Sequence, residues 1–190
     1  MLTLQNEITY IMYKFAAASA DESIIFGATC PGHSKGQVSQ WIEFMSDRDI
    51  RRVCCLLTEN QLDRYDNLLG SYRQAFGSER VCWAPIEDFS LVTPEILIDQ
   101  ILPFLAIADQ QQKKVVVHCS GGIGRTGHIL AAWLVAGRGF TRESAISAVQ
   151  QTGRNPYEAV IAAPFKGRNP WQVAAELQTL LSTSLMHPRN

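Results

Sequence analysis

With 190 residues, 46% of them apolar and 18% charged, the chain is long enough to bury a sizeable core and too apolar for a disordered one. A formal net charge of −1 excludes any global attraction to nucleic acid or to an anionic membrane. The longest apolar run, over 129–137, falls far short of the roughly 18 residues of a membrane span, so a soluble protein is expected.

The first fifteen residues, MLTLQNEITYIMYKF, lack the basic start and apolar stretch of a signal peptide. Short runs rich in β-branched and apolar residues at 24–28, 52–57, 80–86 and 114–118 predict strands. Between them, helical periodicity runs over 37–46, 61–76 and 93–109. Strands alternating with helices imply an α/β fold with a mostly parallel central sheet of about four or five strands, flanked by helices. VCCLL and VVV are apolar throughout, as parallel strands buried on both faces should be. Arg48, Arg51 and Arg52 read as a solvated face. Thr93-Pro94 opens the third helix, and Pro103 inside it predicts a kink or an early end.

After His118 the pattern is helical to the end: 125–136, 141–151, 155–162 and 169–181. HILAAWLVA, apolar on nearly every face, should run through the core. GRNPYEAV and GRNPWQVA repeat one punctuation, in which glycine ends a helix, asparagine caps the next and proline takes its first position. Glu158 and Gln172 would then reach back to those caps. The whole chain reads as one domain, with a core over 24–163 and a C-terminal helix over 169–184.

Five cysteines without regular spacing argue against a secreted disulfide framework and fit a reducing cytoplasm. Adjacent Cys54 and Cys55 read as small hydrophobes. Cys30-Pro-Gly-His33 has the look of half a zinc site, but no second half follows, so no metal is expected.

The chemistry concentrates in VVVHCSGGIGRTG, residues 115–127, which has two readings. From Gly122 it spells the G-x-G-x-x-G of a dinucleotide loop. That loop belongs after a first strand, with an acidic residue at the end of a later strand; here the strand is the last, and the nearest acid, Glu143, lies in a helical pattern. From His118 it spells H-C-x-x-G-x-x-R-T. A strand ending at Cys119, a tight loop and a helix from Arg125 put the thiol under inward-pointing amides and a helix dipole, which favour the thiolate. Arg125 can hold a phosphate through two parallel hydrogen bonds, and Thr126 can offer its hydroxyl to sulfur. His118, in an apolar strand, reads as a buried support for the loop.

This stretch resembles the signature of the cysteine-dependent protein tyrosine and dual-specificity phosphatases. In that superfamily a general-acid aspartate sits on a separate loop about thirty residues earlier. Here Ala84-Pro85-Ile86-Glu87-Asp88-Phe89 places Asp88 thirty-one positions before Cys119, past a strand expected to neighbour the catalytic one, with Glu87 as the rival. GATCPGHSKGQVSQWIEFM and RRVCCLLTENQLDRYDNLL are similar to the cyclin-dependent-kinase-associated phosphatases. The resemblance spans about 24–151. It departs in the proline after the acid, displaced to Pro94, and from Gly153 onward.

The resemblance implies attack of Cys119 on phosphorus, with Arg125 and the loop of Ser120, Gly121, Gly122, Ile123 and Gly124 holding the phosphate oxygens. Asp88 would protonate the leaving oxygen and then activate water, Thr126 would help sulfur depart, and neither metal nor organic cofactor would be used. The expected substrate is a phosphorylated protein, with no nucleic-acid or membrane partner. A phosphoinositide phosphatase, a phospho-binding pseudophosphatase and an arsenate reductase are the alternatives. A nucleophilic thiolate should also be peroxide-sensitive, with Cys54, Cys55 or Cys82 as disulfide partners to consider.

Overall fold

The computed structural model describes residues 13–184, so most of the segment tested for a signal peptide lies outside the described residues. Five strands form one sheet in the order β1-β2-β5-β3-β4: β1 is Ala16–Ala17, β2 Ile25–Thr29, β3 Ile50–Cys55, β4 Val81–Trp83 and β5 Lys114–Cys119. All pairings are parallel except β1 with β2. The two-residue edge strand β1 is too short for its pattern to stand out in sequence.

The helices are α1 Lys35–Asp47, α2 Glu59–Leu62, α3 Leu68–Phe76, α4 over 94–110, α5 Gly124–Arg138, α6 Arg142–Gln151, α7 Glu158–Ala162 and α8 Pro170–Thr183. They cover both faces of the sheet, and the strands alternate between two cores accordingly. Val115, Val117 and Cys119 pack with α4, α5, α6 and α8, whereas Val116 packs with Trp41, Phe44 and Tyr72 of α1 and α3. The central strands are therefore apolar on both sides. Helix α5 is buried on nearly every face, as its sequence requires.

Several expectations change. The periodic run 61–76 is two helices, because Asn67 accepts a hydrogen bond from Gly70 N–H and starts α3 afresh. Pro103 does not end α4. The turn before it, Leu97–Ile101, widens to π geometry, which accommodates a ring that cannot donate an N–H. Arg52 is buried and lies 4.3 Å over the Phe104 ring, so the arginine cluster is not simply a solvated face. Asn169 caps α8 as expected, but α7 starts two residues late, with Tyr157 at its cap, and Glu158 points elsewhere.

One ion-pair network ties the sheet edge to two helices. Glu22 accepts hydrogen bonds from the N–H groups of Ile24 (2.8 Å) and Ile25 (3.3 Å), from Trp133 Nε1 (3.1 Å) and from Arg138. Arg138 also pairs with Asp109 at 2.6 Å. Removing one partner leaves buried donors unmet. Glu22→Ala is expected to lower unfolding free energy by about 3 kcal/mol, the low end for buried pairs because Arg138 is partly exposed. Urea denaturation checks this, and a loss below about 0.5 kcal/mol would contradict it.

Candidate active site

Residues Cys119–Gly124 form a tight bend between the C-terminal end of β5 and the N-terminus of α5. Gly122 adopts φ +68°, and a Cβ there would come within 2.6 Å of Ala28 O, so the loop lies directly on the end of β2. This turn aims the Gly122 N–H at Cys119 Sγ (3.2 Å), and Thr126 Oγ1 donates to the same sulfur at 3.2 Å. The thiol is buried, at the positive end of a fifteen-residue helix.

Arg125 is 1% exposed although it is charged. Its guanidinium donates to Gln61 Oε1 (2.8 Å), Ile86 O (2.9 Å) and Ser120 Oγ (2.7 Å), and pairs with Asp88 at 3.1 Å. Partners from three chain stretches, around Gln61, Ile86–Asp88 and Ser120, thus meet at one side chain. The sequence pattern makes Gln61 the first residue of a long helix. It belongs instead to a Thr58–Gln61 capping box, and that box is the signal that marks α2 as a separate short element at the site.

Asp88 reaches Arg125 by a route the sequence did not indicate. The strand before it, β4, pairs with β3 and not with β5, the strand that ends at Cys119. The chain after β4 crosses the end of β3, Ala84 N–H donating to Cys55 O and Ile86 N–H to Leu56 O. A tight turn, closed by Ser90 N–H on Glu87 O with Phe89 at φ +56°, then presents Asp88. Glu87 is exposed, so of the two candidate acids only Asp88 meets the arginine. Lys166 holds this turn by donating to Asp88 O and to Ser90 Oγ.

His118 is fully buried beneath the loop, edge-on to Trp41 (5.3 Å) and Tyr72 (5.6 Å). Neither ring nitrogen makes a well-formed hydrogen bond, so its support is through packing. Burial depresses its pKa to about 3. His128, which the sequence did not single out because it lies mid-helix, connects the two loops. Its Nε2 accepts from Val92 N–H (3.2 Å), which leaves Nδ1 to donate to Gly124 O (3.2 Å). That neutral bridge fastens the Asp88 loop to the start of α5, and burial again lowers the pKa, to about 4.

Three further groups border the site: Cys30, whose thiol donates to Ser120 O (3.6 Å); Lys14, whose ammonium donates to Gly121 O (3.5 Å); and Glu158, which lies against Gly124. Cys30, not one of the three thiols considered for oxidation, is the cysteine packed on the loop. Cys54 and Cys82 hydrogen-bond to each other. His33 packs edge-on to Tyr65.

A family model described as "Polymorphic toxin system, DSP-PTPase phosphatase" matches residues 26–138. Two uncharacterized proteins of Methanocaldococcus jannaschii are 45% and 43% identical over 51 residues, and those matches span 31% and 34% of their lengths. The fold is similar to that of Tk-PTP in its active form (TM-score 0.62, 22% identity, 83% of this chain and 93% of that one). It is also similar to kinase associated phosphatase (0.61, 21%, 80% and 88%) and to PTPMT1 in complex with PI(5)P (0.67, 15%, 90% and 97%).

The two buried histidines make stability pH-dependent. Each holds its proton less tightly when folded than the 6.5 of a free imidazole, so below that pH the unfolded chain binds more protons and stability falls as pH falls towards 4. Each contributes about 1.4 kcal/mol per pH unit within that window. Urea midpoints measured at several pH values should show the loss, and His128→Gln should reduce the slope by about one histidine's share. A parent whose stability stays flat across the window would contradict it.

Proposed function

The chain belongs to the DSP-PTPase phosphatase family of polymorphic toxin systems, and from that premise we propose that it hydrolyses phosphorylated protein side chains through a phosphocysteine on Cys119. The observation that carries this is the pair of donors on one sulfur, Gly122 N–H and Thr126 Oγ1, beside a buried arginine. Two donors on one sulfur are what the nucleophilic form of a cysteine requires. Cys119 Sγ attacks phosphorus in line and the bond to the leaving oxygen breaks. Asp88, next to the guanidinium, gives that oxygen its proton. Arg125 exchanges its bonds to Ser120 and Asp88 for two to the phosphate, and the loop amides from Ser120 to Gly124 take the remaining charge. When the sulfur leaves, Thr126 stabilises it. A binding-only role is disfavoured because Cys119, Arg125 and Asp88 are all present, and they converge.

The substrate preference follows from charge. Between Cys119 and Arg125 the loop offers backbone amides and one apolar side chain, Ile123, with no side-chain cation for a second phosphate. This favours singly phosphorylated tyrosine, serine and threonine. Lys14 and Lys166 lie at the rim from outside the loop and give a phosphoinositide headgroup a second reading, one that the PI(5)P complex of PTPMT1 keeps open. No helix among the described residues is long and apolar enough to cross a membrane. A cytoplasmic setting suits the five free cysteines.

Phosphate release from a panel of phosphopeptides and phosphoinositides tests the substrate class. Phosphopeptides are expected to be preferred, and an efficiency on any phosphoinositide about tenfold above every peptide, some 1.4 kcal/mol of transition-state preference, would reverse the assignment. For the machinery, Cys119→Ser is expected to abolish turnover yet still bind phosphate. Asp88→Asn should slow phosphothreonine hydrolysis by ~10²–10⁴ and affect an activated nitrophenyl ester far less. Equal losses on both substrates would make Asp88 structural.

A further inference from the structure

The loop that should receive phosphate already has a carboxylate on it. Glu158, the first residue of α7, places its side chain over Gly124 so closely that a Cβ on Gly124 would collide with Oε2 and lie 2.6 Å from the Glu158 Cβ. Only glycine leaves room for it. The Gly124 N–H, an orphan donor at the start of α5, donates to this carboxylate. The turn that leads into α7 is closed by Asn155 O accepting from Glu158 N–H (3.1 Å), and the first residue of this short helix delivers the side chain to the loop.

The charges that act on this carboxylate among the described residues come from the site: Asp88 after β4, Arg125 on α5 and Lys14 before β1. Before substrate arrives Asp88 pairs with Arg125 at 3.1 Å. Glu158 is half-buried with no ion pair among the described residues, and burial, followed by the Asp88 charge, pushes its carboxyl up from the ordinary range while Arg125, the Gly124 N–H and Lys14 pull the other way. A carboxylate more basic than usual is the better proton acceptor.

We propose that Glu158 is a second catalytic carboxylate, the base that activates water against the phosphocysteine, with Asp88 acting as the acid of the first step. This rests on the phosphocysteine mechanism proposed above. The water oxygen bonds to phosphorus and the phosphorus–sulfur bond breaks, its electron pair returning to Cys119 Sγ. The water proton passes to a Glu158 oxygen, hydrogen phosphate leaves, and Glu158 then releases the proton to solvent. Arg125 and Lys14 limit the repulsion between the carboxylate and the phosphoryl oxygens. The two carboxylates thus divide a task that the sequence resemblance assigns to Asp88 alone.

The test is pre-steady-state hydrolysis of nitrophenyl phosphate. Glu158→Gln keeps an acceptor for the Gly124 N–H and removes the base. It is expected to show a burst of nitrophenolate close to one per active site, a steady-state rate about 10²-fold below the parent and an accumulated phosphoenzyme. Glu158→Ala should lose the same step and regain it with added formate, which would not rescue a merely structural defect. If Glu158→Gln turns over near the parent rate with no burst, or if formate leaves a folded Glu158→Ala unchanged, the role of Glu158 falls and the phosphocysteine mechanism stands. If no variant and no parent sample carries phosphate on cysteine, the mechanism beneath it falls as well.

Discussion

The fold turns on how the sulfur of Cys119 is held at the buried end of a parallel strand. Two donors close on its sulfur, Gly122 N–H and the Thr126 hydroxyl, each at 3.2 Å. Both depend on the loop turning sharply, and the turn depends on Gly122 entering a left-handed conformation against the end of β2. The strand below is fixed by parallel partners on both sides, and the helix above is buried on nearly every face. The sulfur therefore sits on a rigid element and points into a rigid loop, as electrostatic preorganisation requires.

The same rigidity makes Arg125 the junction of the site. A buried guanidinium must have its donors met, and here they are met by groups from α2, the stretch after β4, the loop itself and the Asp88 turn. In the proposed mechanism substrate takes over the Arg125 bonds to Ser120 and Asp88, while those to Gln61 and Ile86 keep the guanidinium in place, so no donor is left bare. His128 adds the second tie, a neutral imidazole between Val92 and Gly124 that holds the acid loop in register with α5. Lys166 supplies a third from the C-terminal half. The helices after Gly153, for which the sequence offered no role, bring two charged residues, Glu158 and Lys166, to the rim of the site.

Legibility in the sequence followed the range of the interactions involved. The parallel sheet was readable because VCCLL and VVV have no polar face, and the loop because glycine, arginine and threonine at fixed spacing do a local job. Asp88 was placed by resemblance, but its path was not, since the order β5-β3-β4 is a matter of tertiary pairing. Gln61, His128 and Glu158 were missed for one reason: each has an ordinary local explanation, as helix start, core residue or cap. Their partners lie 64, 36 and 34 positions away, respectively. The capping reading of Glu158 was chemically sound and applied to the wrong donor, because α7 starts too late for its carboxylate to reach the asparagine cap and the Gly124 amide is the donor nearby.

The account stands or falls on where phosphorus goes. Acid quenching of the enzyme during turnover of a phosphotyrosyl peptide, followed by peptide mapping, measures this directly. The account predicts phosphate bonded to sulfur on the peptide containing Cys119, and none in Cys119→Ser. Sustained turnover with that peptide unmodified, or with phosphate on any other side chain, would contradict it.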